Sequence, residues 1–192
     1  MIIGLDIDGV IADFDAKVLE YVLLEDRKKR NAGIINPNAS YITEGMFDWS
    51  KEEFRDFFRQ YREEIVKNSQ VIDGAIPFMN QLKMDGYQLV LITYRTDKMY
   101  QNPRQITEDW LEKHHIPYDK LVLSKSRDKS DECIKEQVDL YIDDSIWNCN
   151  KVLEKGIEVC LFQTRFFSKT ELSSVNHWSD LYDFIIKMQK RK

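Results

Sequence analysis

The sequence predicts an α/β fold: a doubly wound parallel sheet in a three-layer α/β/α arrangement, with a small helical unit inserted after the first strand. Three observations predict it. Short apolar, β-branched runs that stop at polar residues recur along the chain, as buried parallel strands do. Stretches of helical period alternate with them after residue 70, the rhythm of helices packed on both faces of a sheet. Residues 14–70 break that rhythm, with long helical patterns and no convincing strand.

The first strand spans residues 2–7 and ends at Asp8-Gly9. In the inserted unit, Arg27-Lys28-Lys29-Arg30 reads as a helix end and residues 31–40 as a loop. A second helix is marked by Ser50 as N-cap and Glu53 as its capping-box partner, with Trp49 and Phe54 as a hydrophobic staple. Phe54, Phe57, Phe58, Tyr61 and Ile65 give that helix one apolar face. A helix over about 75–85 leads to a strand at 88–93, and a helix over 103–115 carries Ile106, Trp110 and Leu111 on one side. Strands follow at 121–124 and 138–143, then a helix over 145–155 with Ile146, Cys149, Val152 and Leu153, then a strand at 157–162. The expected organisation is a core of residues 1–13 and 71–192 and a helical insertion of residues 14–70, without repeats or low-complexity tracts.

Composition narrows the function classes. Hydrophobic residues are 43% and charged residues 32% of 192, with 7 Gly and 4 Pro, which excludes collagen-like, mucin-like and generally disordered chains. Lys plus Arg number 28 against 33 Asp plus Glu, for a net charge of −5. Such a chain has no basic field to hold duplex nucleic acid by counterion release. Asp6 interrupts the first apolar run before a signal peptide could form, and no apolar stretch approaches the ~20 residues of a membrane span. Cys133, Cys149 and Cys160 are odd in number and lack C-x-x-C spacing, which supports neither a disulfide framework nor structural zinc. A reducing cytoplasm is the expected location, and nothing in the pattern speaks to oligomeric state.

Strands of such a sheet deliver their C-terminal ends to one edge, where α/β proteins bind ligands. There the first strand brings Asp6 and Asp8, the second Thr93, and the strand at 138–143 the pair Asp143-Asp144. A turn alone would explain Asp6-Ile7-Asp8-Gly9. It does not explain a second acidic pair and a hydroxyl at the same edge. Four carboxylates at one place require a cation, and an oxygen-only set favours Mg²⁺, which completes its octahedron with phosphate oxygens. The expected partner is therefore a small phosphorylated molecule.

These residues carry a resemblance. The stretch Asp6-Ile7-Asp8-Gly9-Val10-Ile11-Ala12-Asp13-Phe14 resembles the first motif of the haloacid dehalogenase (HAD) superfamily, and Thr93, Lys129 and Asp143-Asp144 match its second, third and fourth in order. Within the superfamily the chain is most similar to the 5'(3')-deoxyribonucleotidases: residues 8–14, Arg127-Asp128-Lys129-Ser130 before Tyr141-Ile142-Asp143-Asp144, and His177-Trp178-Ser179-Asp180-Leu181 all echo them.

The resemblance implies a HAD-like core whose helical insertion is a cap over the phosphate. It implies a Mg²⁺-dependent phosphomonoester hydrolase acting on nucleoside monophosphates through an aspartyl-phosphate intermediate. Asp6 would be the nucleophile; Asp8 would move protons and offer its backbone carbonyl to the metal; Asp143 and Asp144 would complete the metal site with Asp6. Thr93 would hydrogen-bond a phosphoryl oxygen with Tyr94 beside it, and Lys129, preferred over Lys125, would neutralise phosphoryl charge. Asp13 matches the family but also suits an N-terminal helical turn. Phe14, Phe47 and Trp49 are candidate base-stacking groups, weighed against a structural role in the insertion. The chain departs from the nucleotidases after Thr93, where they continue with a small residue and proline and this chain has Tyr94-Arg95. Arg95 would either clamp a second anionic group, which favours a sugar phosphate or other metabolite as substrate, or pair with Asp97 or Asp128. A non-catalytic module that binds phosphorylated ligands is the remaining alternative. His114, His115 and His177 lack metal-ligand spacing and read as surface or packing residues.

Overall fold

The structure is a computed structural model describing residues 1–166 and 169–190. Strands β1 (Ile2–Leu5), β2 (Gln88–Tyr94), β3 (Lys120–Ser124), β4 (Leu140–Asp143), β5 (Glu158–Phe162) and β6 (Ser174–Val175) form one sheet in the order β3-β2-β1-β4-β5-β6. Every pairing is parallel. The order reverses between β1 and β4, so the crevice beyond their C-terminal ends is the topological switch point where such sheets bind ligands.

The strands are apolar throughout because both faces are covered. In β2, Leu89 and Leu91 pack in one core with Ala75, Met79, Trp110, Leu181 and Ile185, while Val90 and Ile92 pack in another with Cys133, Cys149 and Val152. Helices α3 (Ala75–Met84), α4 (Pro103–Lys113) and α7 (Trp178–Gln189) supply the first set; α5 (Ser130–Lys135) and α6 (Ile146–Leu153) supply the second. In β1 only Gly4 lacks a side chain, and a Cβ there would lie 2.9 Å from the ring of Tyr141, its partner in β4. That vacancy seats the tyrosine whose hydroxyl later meets Asp143.

The insertion consists of α1 (Phe14–Lys29), one wide helical turn at Ile42–Met46, and α2 (Lys51–Asn68). These bury their own cluster, with Val18, Val22, Ile42, Phe47, Phe57 and Ile65 at its centre. Ser50 accepts from the Glu53 amide and Glu53 from the Ser50 amide, closing the capping box, and the Trp49 and Phe54 rings stack 5.2 Å apart. The exit and return of the chain pair with each other. The Asp13 amide donates to Gln70 O at 2.8 Å and the Ile72 amide to Ile11 O at 2.8 Å.

Several elements differ from the sequence expectation: helix α7 and the wide turn at Ile42–Met46 were not read, and β4 begins at Leu140 rather than at residue 138. The first strand ends at Leu5 rather than at residue 7, because the chain curls: the amides of Ile11 and Ala12 both donate to Ile7 O. β6 was not foreseen, since two residues give no apolar run to read. Among the described residues no helix is long and apolar enough to cross a membrane. The three cysteines are buried free thiols.

Trp178 ties the last helix to the loop after β1: it is 1% exposed, and its indole N–H donates to Val10 O at 2.9 Å. Trp178→Phe should cost about 1–3 kcal/mol by leaving that buried carbonyl unpaired. Trp178→Ala should cost about 3–5 kcal/mol by adding a cavity. Urea denaturation of the two variants checks the order; a Trp178→Phe variant as stable as wild type would show that the indole hydrogen bond carries nothing.

Candidate active site

Asp6 leaves the end of β1, in the centre of the sheet, and Asp143 and Asp144 leave the end of adjacent β4. Between them the Lys129 ammonium lies 2.7 Å from Asp6 Oδ2 and 2.9 Å from Asp143 Oδ2. Lys129 is 2% exposed, whereas Lys125 is exposed, so the structure separates the two lysines that the sequence left close. A buried ammonium is tolerated only when paired. Burial opposes the charge of Lys129, but Asp143 and Asp6 more than offset it and hold the ammonium above its usual range.

Asp143 is fully buried and heavily engaged. Its Oδ2 accepts from Lys129, from the Tyr141 hydroxyl at 2.6 Å and from Asn148 Nδ2 at 3.1 Å, while Oδ1 accepts from the Ser145 amide at 2.8 Å. Asp144 instead faces the cleft. It stands so close to Gly9 that a Cβ there would come within 2.2 Å of its Oδ2, and Gly9 also holds φ +82°, a conformation that suits only glycine well. One oxygen from each of Asp6, Asp143 and Asp144 lies within 4.8 Å of the others. Burial, then the charges of Asp143 and Asp8 against the pull of Lys129, push Asp6 up to about 7. Burial and the charges of Asp143 and Asp6 likewise raise Asp144. One lysine among three carboxylates leaves a crowding of negative charge that a bound cation could offset.

Asp6, Asp8, Thr93, Tyr94, Lys129 and Asp144 all line a cleft of about 620 Å³, within the usual range for small-ligand sites. The insertion contributes Phe14, Asp15, Tyr41, Phe58 and Arg62 to its wall; the core adds Tyr100, Arg127, Asn148 and Phe166. Of the candidate stacking residues, only Phe14 reaches the cleft. Phe47 is 2% and Trp49 8% exposed inside the insertion, and the Trp49 N–H donates to buried Asp26, which also accepts from the Gly33 amide. Both rings were needed to close a small core, which the sequence pattern alone does not distinguish from a binding face. Tyr41, Tyr100 and Phe166 went unseen because they come from three separate segments that only the fold brings together, and Phe58, read as part of the apolar face of α2, also reaches the cleft.

Arg95 neither pairs with Asp97 or Asp128 nor lines the cleft. It is buried, and its guanidinium bonds Asp8 Oδ1 at 2.6 Å. Asp128 caps Ser130 instead, and Asp13 caps α1 by accepting from the Ala16 amide. His115 and His177 are exposed, and half-buried His114 stacks on Trp110 with ring centroids 4.7 Å apart.

Comparison with known proteins agrees with this geometry. The family model described as 5' nucleotidase, deoxy (pyrimidine), cytosolic type C protein matches residues 1–191. A curated protein of Chlorobaculum tepidum named "Putative 5'(3')-deoxyribonucleotidase" is 27% identical over 194 residues, spanning 96% of this chain and 90% of that one. A "predicted phosphatase" of Clostridium acetobutylicum superposes with a TM-score of 0.66 at 16% identity, over 97% of this chain and 98% of that one. A haloacid dehalogenase-like family hydrolase of Streptococcus pneumoniae gives a TM-score of 0.65 at 16% identity, over 96% and 97% of the two chains. Likeness at that identity is likeness of fold. The match along nearly the whole sequence does more: the chain belongs to the deoxy (pyrimidine) 5' nucleotidase family, phosphomonoester hydrolases built on the HAD-like fold.

Proposed function

We propose that this protein hydrolyses nucleoside monophosphates, deoxyribonucleotides foremost, through a phosphoryl group carried transiently on Asp6, with Mg²⁺ at the floor of the cleft. The observation that supports it best is the trio of buried Asp6 and Asp143 and half-buried Asp144, with oxygens within 4.8 Å, beside a buried Lys129. The donor set fits magnesium: all oxygen, crowded, and under-neutralised by the protein's own cation. Asp6, Asp144 and the backbone carbonyl of Asp8 would hold the ion, whose bound charge would offset theirs and orient phosphate oxygens. Asp143 is committed to Lys129, Tyr141, Ser145 and Asn148 and serves to fix the lysine.

Asp6 attacks phosphorus, breaking the ester bond, and the alkoxide that leaves takes a proton from Asp8. Asp8, now a carboxylate, accepts a proton from the water that cleaves the acyl phosphate and returns Asp6. Lys129, already on Asp6, stabilises the charge that gathers on the phosphoryl oxygens, and the buried Thr93 hydroxyl adds a donor. The cleft beyond the phosphate is walled by Phe14, Tyr41, Phe58, Tyr100 and Phe166, flat apolar surfaces suited to a base and sugar.

Phosphate release from a panel of nucleoside and sugar monophosphates tests this reading. Wild type should prefer deoxyribonucleotides, lose activity in EDTA and regain it with Mg²⁺; Asp6→Asn should lose at least about 10³-fold in kcat. Activity indifferent to EDTA, or an active Asp6→Asn, contradicts it. Asp144→Asn should raise the Mg²⁺ concentration needed for half activity by about 10-fold or more, since loss of even a group behind the ligands costs about 10–100-fold in metal affinity; an unchanged requirement would remove Asp144 from the metal.

Asp15 supplies a stability test of the cleft wall. It accepts from the Tyr41 hydroxyl at 2.6 Å, and burial pushes its carboxyl up to about 6. Its folded value lies above its unfolded one, so the charged form costs stability above about pH 6, and the cost fades as pH falls towards 4. Asp15→Asn should therefore be more stable than wild type by about 2 kcal/mol at pH 8 and no more stable at pH 4. Urea midpoints at the two pH values decide; a pH-independent difference contradicts the assignment.

A further inference from the structure

We propose that Arg95 is a positioning residue that aims Asp8 at the leaving group. The proposal rests on the reading of Asp8 as the proton carrier given above. Arg95 lies two residues beyond Thr93, and its side chain is 1% exposed against 26% for Asp8. The carboxylate lines the cleft and the guanidinium does not, so Arg95 stands behind Asp8 and acts through it.

Its hydrogen bonds have a fixed direction. The Thr107 hydroxyl donates to Pro103 O at 2.6 Å in the first turn of α4, so its oxygen is left to accept from Arg95 Nη1 at 3.1 Å. Arg95 Nη2 then donates to Asp8 Oδ1 at 2.6 Å. The Tyr100 ring covers the guanidinium, its centroid 5.9 Å from Cζ. A chain of hydrogen bonds thus ties one oxygen of Asp8, through Arg95 and Thr107, to the Pro103 carbonyl of α4, and proton exchange with substrate falls to the other oxygen.

The arrangement makes little sense as a stabilising device. Burying a guanidinium against one half-exposed carboxylate is a poor exchange for its lost hydration, and Arg95 Nε is buried with no hydrogen-bond partner. An unsatisfied buried donor beside a reactive group is what a site built for orientation tolerates.

Leaving-group dependence tests this. Asp8 must protonate the alkoxide expelled from thymidine 5'-monophosphate, whereas the nitrophenoxide of 4-nitrophenyl phosphate leaves without a proton. In Arg95→Met, kcat/KM for thymidine 5'-monophosphate should fall about 100-fold, the scale of a general acid's contribution, with little loss of kcat/KM on 4-nitrophenyl phosphate, because that ratio covers only the steps up to departure of the leaving group and not the later water attack in which Asp8 takes a proton. Arg95→Lys should recover part of the loss, and Thr107→Val should show the same selective pattern in weaker form. If Arg95→Met does not fold, the Lys and Val variants carry the test. Equal losses on the two esters, or no loss on either, would overturn the positioning role. A wild type that hydrolyses neither ester would instead defeat the hydrolase reading beneath it.

Discussion

The ammonium of Lys129 sits between Asp6 and Asp143 at 2.7 and 2.9 Å, and the architecture around it holds that buried charge in place. Carboxylates this close repel one another strongly in a low-dielectric setting. The lysine relieves only part of that repulsion, and the remainder is what a divalent cation, as proposed above, would offset. The same arrangement explains the surrounding sequence. Gly4 makes room for Tyr141, whose hydroxyl holds Asp143; Gly9 lets Asp144 press against the turn after β1; Ser145 and Asn148 satisfy the rest of Asp143.

The topology puts these groups together at low cost in chain. β1 and β4 are neighbours at the point where the strand order reverses, so residues more than a hundred positions apart end side by side. The insertion returns to the core through the backbone pairing of residues 11–13 with 70–72, and the Trp110 indole donates to Ser69 O just before that return. Its helices bury their own aromatic cluster and spare Phe14, Tyr41 and Phe58 for the cleft. Electrostatics at the floor and aromatic surface at the wall divide the work: the one suits a phosphoryl group, the other what it is attached to.

Much of this was legible in the sequence. The parallel sheet could be read because strands covered on both faces are apolar without alternation, and the Asp residues at their ends because turns alone do not place acidic pairs at two strand ends. Asp6, Asp8, Thr93 and Asp144 share one cleft for that reason, whereas Lys129, which also lines it, was reached only through the family resemblance. The cleft wall was harder. Trp49 and Phe47 look in the sequence like any aromatic near a helix start, and only packing shows that they close the insertion's core. Arg95 was misread because its partner, Asp8, is 87 positions away, while Asp97 is merely near in sequence. Two-residue β6 and the assembly of Tyr41, Tyr100 and Phe166 left no local periodicity to detect.

The central claim is that Asp6 carries the phosphoryl group. Acid quenching of the enzyme during turnover of a deoxyribonucleoside monophosphate with Mg²⁺, followed by peptide mass spectrometry, tests it most directly. The account predicts a hydroxylamine-labile phosphate on the peptide containing Asp6 that disappears when substrate is exhausted. Rapid phosphate release with the label on another residue, or with no labelled peptide in a quench fast enough to catch a single turnover, would contradict it.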